Sequence, residues 1–161
     1  MSQLEWIVCE RSGRWASAMR IAIGPQGSIS TGKHHLYQVR TLNELSARLA
    51  ERPQAMALVE IRRADLAEAL AWLVEMATTF PQARALALVE RDDFEALFHG
   101  DLAASLLAAG AAGVIDSPRQ LCSILPIGFR HFTSQLHQRA NPGQGESFSQ
   151  WAWELLPWQS T

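Results

Sequence analysis

Basic clusters are missing from this chain. Its 14 lysines and arginines stand against 16 aspartates and glutamates, a formal net charge of −2, and the longest basic run is the pair Arg62-Arg63. Binding to a nucleic-acid backbone draws on clustered positive charge, so no nucleic-acid partner is expected. Long apolar runs are missing too: none approaches the ~18 residues of a membrane span, so no membrane partner is expected. No basic leader and apolar h-region come before the first strand-like residues, which excludes a secretory signal and makes the expected location cytoplasmic. Cysteine is scarce. Cys9 and Cys122 lie far apart in apolar stretches, the pattern of reduced, buried thiols rather than of a disulfide framework.

Signatures of catalysis and metal binding are also lacking. His34 and His35 are adjacent on an expected strand and so point to opposite faces, while His131 and His137 miss the i, i+4 register on a helix. Solvated or partly packed histidines are the expectation. There is no G-x-S-x-G elbow, and neither cysteine has a histidine beside it. Gly27 to Lys33 (GSISTGK) fits the first seven places of a phosphate-binding loop, but His34 takes the eighth, where a hydroxyl should reach magnesium. That loop should also open a helix, whereas His34 to Val39 reads as a strand. No cofactor, no metal ligand and no catalytic residue is therefore expected.

What is present is alternation. With 48% hydrophobic and 19% charged residues in 161, the composition is that of one globular domain with its own core. Leu4 to Cys9 (LEWIVC), His34 to Val39, Met56 to Ile61 (MALVEI), Ala85 to Val89 (ALALV) and Val114-Ile115 read as strands. Helical spacing follows each of them. Trp15, Met19 and Ala22 mark the first helix, Leu42, Leu45 and Leu49 the second behind a Thr41 cap, and Leu66, Leu70, Leu73 and Ala77 one face of the third. Trp72 falls one residue off that stripe. A fourth helical region runs from Asp92 to Ala109, with Gly100 as a point where it breaks. Ser117-Pro118 offers an N-cap and N1 proline for a last helix through Leu121, Leu125, Phe129, Phe132 and Leu136, kinked at Pro126.

Near-continuous apolar strands alternating with amphipathic helices predict an α/β fold: a doubly wound, five-stranded parallel sheet covered on both faces. The domain is expected over residues 1–139. Residues 140–161 form a linker and a short aromatic tail in which Trp151, Trp153, Leu155, Leu156 and Trp158 fall within eight positions. Aromatics of this kind dominate binding hot spots, so the tail either folds back onto its own domain or docks on a partner.

Five such units ending in LLAAGAAGVIDSPRQL (Leu106 to Leu121) resemble the receiver domains of bacterial response regulators, over roughly Leu4 to Leu136. The resemblance implies the flavodoxin-like strand order 2-1-3-4-5 and a phosphorylation site at the carboxyl ends of the strands. Each functional position departs from the family pattern. Cys9-Glu10 offers one acid where receivers hold magnesium with two. Glu60 stands where the phosphate-accepting aspartate ends the third strand, Val89 or Glu90 where a hydroxyl residue follows the fourth, and Ser117 in place of the lysine. The resemblance is thus to a pseudo-receiver, in which Glu60 is either a fixed negative charge standing in for a phosphorylated aspartate or a plain polar strand end.

The function this implies is a non-enzymatic regulatory or adaptor module in signal transduction, without an appended output domain, acting by protein–protein contact on an unidentified protein partner or as a homodimer. The alternatives are a small flavodoxin-like enzyme or ligand-binding protein with its site near Glu10 and Glu60, and a phosphorylatable receiver. A deep pocket with converging polar groups favours the enzyme, and a shallow polar depression beside an apolar surface favours the contact module.

Overall fold

The computed structural model describes residues 3–24, 33–94, 99–121, 130 and 131. Expectations for the Gly27 to Gly32 loop, Cys122, Leu125, Pro126, Phe129, Phe132, Leu136, His137 and the tail residues Trp151, Trp153, Leu155, Leu156 and Trp158 lie outside the described residues.

The elements follow in the expected alternation. They are β1 (Gln3–Cys9), α1 (Arg14–Ile23), β2 (Lys33–Val39), α2 (Leu42–Glu51), β3 (Met56–Ile61), α3 (Leu66–Thr79), β4 (Arg84–Val89), α4 (His99–Ala108) and β5 (Gly113–Ile115). The strands form one sheet in the order β2-β1-β3-β4-β5, every pair parallel. β1 lies inside, paired along its whole length with β2 from Gln3↔Lys33 to Cys9↔Val39 and with β3 from Trp6↔Met56 to Cys9↔Val59.

Strand alternation divides the core in two. Trp6, Val8, Met56, Leu58, Leu86 and Leu88 pack against Trp15, Ala16, Met19 and Ala22 of α1. On the opposite face Ile7, Ala57, Val59, Ala85 and Ala87 meet α2, α3 and α4 through Leu45, Leu49, Leu73 and Leu106. Small alanines along β3 and β4 bring the helices close to that face.

Local chemistry sets the helix ends. Thr41 Oγ1 accepts from Glu44 N at 3.2 Å and the Glu44 carboxylate accepts from Arg40 N at 2.9 Å, a reciprocal arrangement that satisfies donors at the start of α2. α4 closes with Gly110 N donating to Leu107 O and Ala111 N to Leu106 O. This pattern needs a left-handed residue at Gly110, whose φ is +113°.

Several expectations are corrected. The buried face of α3 is Ala69, Trp72, Leu73 and Met76; Ala77 is exposed, and Leu66 and Leu70 are only half-buried. Trp72 is 8% exposed and donates its Nε1–H to Ser46 Oγ at 2.8 Å, so it belongs to the core and ties α3 to α2. The region from Asp92 is a short 3-10 turn over Arg91–Asp93, and α4 begins only at His99, with Gly100 inside its first turn. Ser117 precedes a 3-10 turn over Pro118–Gln120 but its hydroxyl caps nothing. Among the described residues no helix is long and apolar enough to cross a membrane.

His131 is buried, against the expectation of a solvated or partly packed ring. Its Nε2 lies 3.2 Å from Gln54 O; a carbonyl only accepts, so Nε2 carries a proton. Burial, with the Arg84 charge adding to it, pushes the imidazole down from 6.5 to about 4, while the Gln54 bond opposes the shift. The folded value lies below the unfolded one, so between these values the unfolded chain binds a proton that the folded chain refuses. Stability on this account is intact above pH 6.5 and falls by about 1.4 kcal/mol per pH unit below it, levelling off near the folded value. His131→Gln, which keeps a donor for Gln54 O but does not titrate, should remove this component; urea unfolding of both proteins at several pH values measures the difference.

Candidate functional site

The carboxyl ends of β1 and β3 open on a depression of about 110 Å³. Cys9, Glu10 and Glu60 line it together with Arg11, Arg40 and Asp65. Val89, Glu90 and Ser117 are not among the lining residues. Val89 is buried in the core under α2 to α4, and the Glu90 carboxylate pairs with Arg14 at 3.0 Å.

Glu10 is turned inward. Only 2% of it is exposed, and its carboxylate accepts from Trp15 N at 2.8 Å and Ala16 N at 2.6 Å. Ser12 Oγ accepts from Arg14 N at 3.3 Å and donates to Glu10 Oε2 at 3.4 Å. The first three N–H groups of α1, which no helix can satisfy internally, thus find acceptors, and a negative charge sits at the positive end of the helix dipole. Gly13 makes the return possible: the chain reverses there at φ +82°, a left-handed conformation open to glycine at no steric cost. Gln38 Nε2 reaches the same carboxylate from β2 at 3.4 Å.

Glu60 shares the strand face of Met56 and Leu58, the side toward α1, and its Oε2 accepts from Arg11 N at 3.0 Å. The Arg11 guanidinium pairs with Asp65 at 3.4 Å, and Arg62 approaches the same carboxylate at 3.9 Å. The residue composition of the strand ends pointed to Glu10 and Glu60 but missed Arg11, Arg14 and Asp65. The signal for Arg11 and Arg14 was their adjacency to Glu10; nothing in the sequence marked Asp65.

Cys9 lies beneath the depression, packed in the core with Ile7 and Val59. Burial, then the charges of Glu44 and Glu60, push its thiol up from 9.0 to about 12, with Arg11 opposing and Glu10 reinforcing. Such a group is a poor nucleophile at neutral pH, because attack needs the thiolate. Among the described residues, no three histidine, cysteine, aspartate or glutamate side chains converge to hold a metal ion.

No family model matches this sequence, and no curated protein matches it. Solved structures do share the fold. A response regulator from Thermotoga maritima aligns with a TM-score of 0.61 and 19% identity, covering 82% of this chain and 99% of its own. A protein described as pilus assembly-related from Burkholderia pseudomallei K96243 gives 0.57 and 16% over 81% and 91%. A CheY-like protein, TadZ, from Pseudomonas aeruginosa PAO1 gives 0.57 and 14% over 80% and 98%. At these identities the likeness concerns the fold, which is receiver-like.

Two outcomes follow from the geometry. Glu10→Ala strips the acceptor from two buried N–H groups and should cost about 2–4 kcal/mol, the sum of a lost cap and the desolvation of orphaned donors; equilibrium unfolding in urea reads it. Cys9 should stay unmodified when the folded protein is treated with iodoacetamide at mildly alkaline pH and react once it is unfolded in urea, as peptide mass mapping distinguishes.

Proposed function

We propose that this chain is a pseudo-receiver: a non-enzymatic regulatory or adaptor module of signal transduction that keeps the receiver scaffold, lacks the phosphorylation chemistry, and works in the cytoplasm by protein–protein contact. Residues 1–139 supply the body, and 140–161 an appended segment for contact.

The observation that carries the reading is the engagement of the acids at the strand ends by the chain's own donors. A receiver site needs oxygen ligands free to take a cation and an aspartate free to take a phosphoryl group. Here Glu10 is bonded to the backbone of α1, Glu60 to Arg11 N, Asp65 to Arg11 and Glu90 to Arg14. Binding a cation at Glu10 would release the helix cap. The charge at Glu60 is permanent and already occupied, so the loop after β1 is held against β3 without any modification. That supports Glu60 as a fixed charge over a plain polar strand end. The depression is small, whereas an apolar groove of about 350 Å³ lies elsewhere, between α3 and α4. This combination favours a contact module over the flavodoxin-like enzyme.

The chain should gain no mass on incubation with acetyl phosphate and magnesium, followed by intact-mass spectrometry. A stable gain of one phosphoryl group, mapped to Glu60 or Asp65, overturns the pseudo-receiver reading and makes the domain a phosphorylatable receiver.

A further inference from the structure

Helix α3 carries more apolar surface than its sheet covers. At ~100° per residue, Trp72, Met76, Ala69 and Leu73 occupy about 100° of its circumference, and these are the buried positions. The next ~100° holds Leu66, Ala77, Leu70 and Val74 without a charge among them. Leu66 and Leu70 are half-buried, Ala77 is exposed and Val74 is 58% exposed. Helix α4 lies along this side: a Cβ on Gly110, just past its end, would sit 3.3 Å from Leu73 O and 3.8 Å from Ala77 Cβ.

The groove between the two helices is lined by Leu66 and Leu70 on one side and Leu102 and Ser105 on the other, with Phe94 between the elements. The exposed positions of α4 next to Ser105 are Ala104 and Ala108. The exposed part of the α4 wall is therefore small: Leu102, which also lines the groove, is buried, and Leu107, 50% exposed, lies about 160° around the helix from Ser105. The bulky row from Leu66 to Val74 and the small row from Asp101 to Ala108 have similar lengths, about 12 and 10 Å at 1.5 Å per residue.

Charge is arranged the same way. Arg63, just before α3, and Asp101, in the first turn of α4, both line the groove and are exposed. Among the described residues neither side chain has a hydrogen bond or an ion pair, whereas Arg11, Arg14, Arg48, Arg52 and Arg62 are all paired.

We propose that the α3–α4 face is the interface of a symmetric dimer whose partner is a second copy of this chain. A two-fold axis running along the groove sets α3 of each copy against α4 of the other. Leu70 and Val74 then meet the small residues Ala104, Ser105 and Ala108, and Arg63 faces Asp101 across the interface twice. An isologous contact requires this self-complementarity in both shape and charge. The proposal deepens the contact-module reading by naming the partner and the surface.

Sedimentation equilibrium of the full chain, over a micromolar to millimolar series and with thermal melting as a check of folding, tests it. Wild type should be a dimer and Leu70→Glu a monomer with a cooperative melt. Arg63→Asp and Asp101→Arg should each weaken association about tenfold or more by setting like charges face to face, and the double variant should recover to within about threefold of wild type. Should Leu70→Glu fail to fold, the exposed charge pair decides alone. A monomeric wild type, a dimer indifferent to the charge reversals, or a dimer lost only on removal of residues 140–161 overturns the proposal; the last outcome assigns the contact to the tail. A monomer that also takes up no phosphoryl group overturns the dimer and leaves the pseudo-receiver reading standing, so the two fail separately.

Discussion

The Glu10 carboxylate is the contact on which the arrangement of the strand ends depends. It joins three elements: it closes β1, caps the start of α1 through Trp15 N and Ala16 N, and takes Gln38 from β2. A charge this deeply buried is tolerable only when paired or hydrogen-bonded to several donors, and the positive end of α1 supplies both conditions. Trp15 and Ala16 are themselves core residues under the sheet, so the carboxylate that satisfies their amides also sets where their side chains enter the core. One residue thus couples the polar rim to the apolar interior, and it is withdrawn from any chemistry at the rim.

Around it, charge is balanced locally. Arg11 serves two partners, giving its amide to Glu60 and its guanidinium to Asp65, while Arg14 spans to Glu90 after β4. These are largely exposed pairs, each worth little alone. Their effect is geometric: together they connect the segment after β1 to the ends of β3 and β4. A switch needs a bistable element with differential contacts in its two states. Here the acids at the strand ends are already engaged by Arg11, Arg14 and the backbone of α1 in the one state described.

The sheet was legible in the sequence because apolar runs bounded by glycine, proline and charge leave little freedom. Met56 to Ile61 fell on the strand itself, and the other strand boundaries moved by one residue. Thr41 and Gly110 likewise had single physical roles to fill. The α3 face was not legible for a definite reason. Its apolar residues cover about 200° of arc, so periodicity fits two faces equally, and the choice between Leu66-Leu70 and Ala69-Trp72-Met76 is made by the alanines of β3 and β4 that admit Trp72. The candidate site was half legible. Residue type at the strand ends singled out Glu10 and Glu60, but whether Glu10 points into the pocket or into a helix is decided by the left-handed turn at Gly13, which composition does not encode.

That ambiguity in α3 has a physical meaning of its own. A helix needs only one apolar stripe to pack on a sheet, and Ala69, Trp72, Leu73 and Met76, with the Trp72 hydrogen bond to Ser46, already provide it. Leu66, Leu70 and Val74 contribute less to folding, since half-buried and exposed side chains recover only part of the ~25 cal/mol per Å² that full burial brings. Apolar side chains beyond the needs of the core, next to Arg63 and Asp101, which have no partner among the described residues, are the features on which the proposed dimer contact rests. Substitution at the exposed positions of the α3–α4 surface is therefore expected to cost less stability than substitution at Glu10.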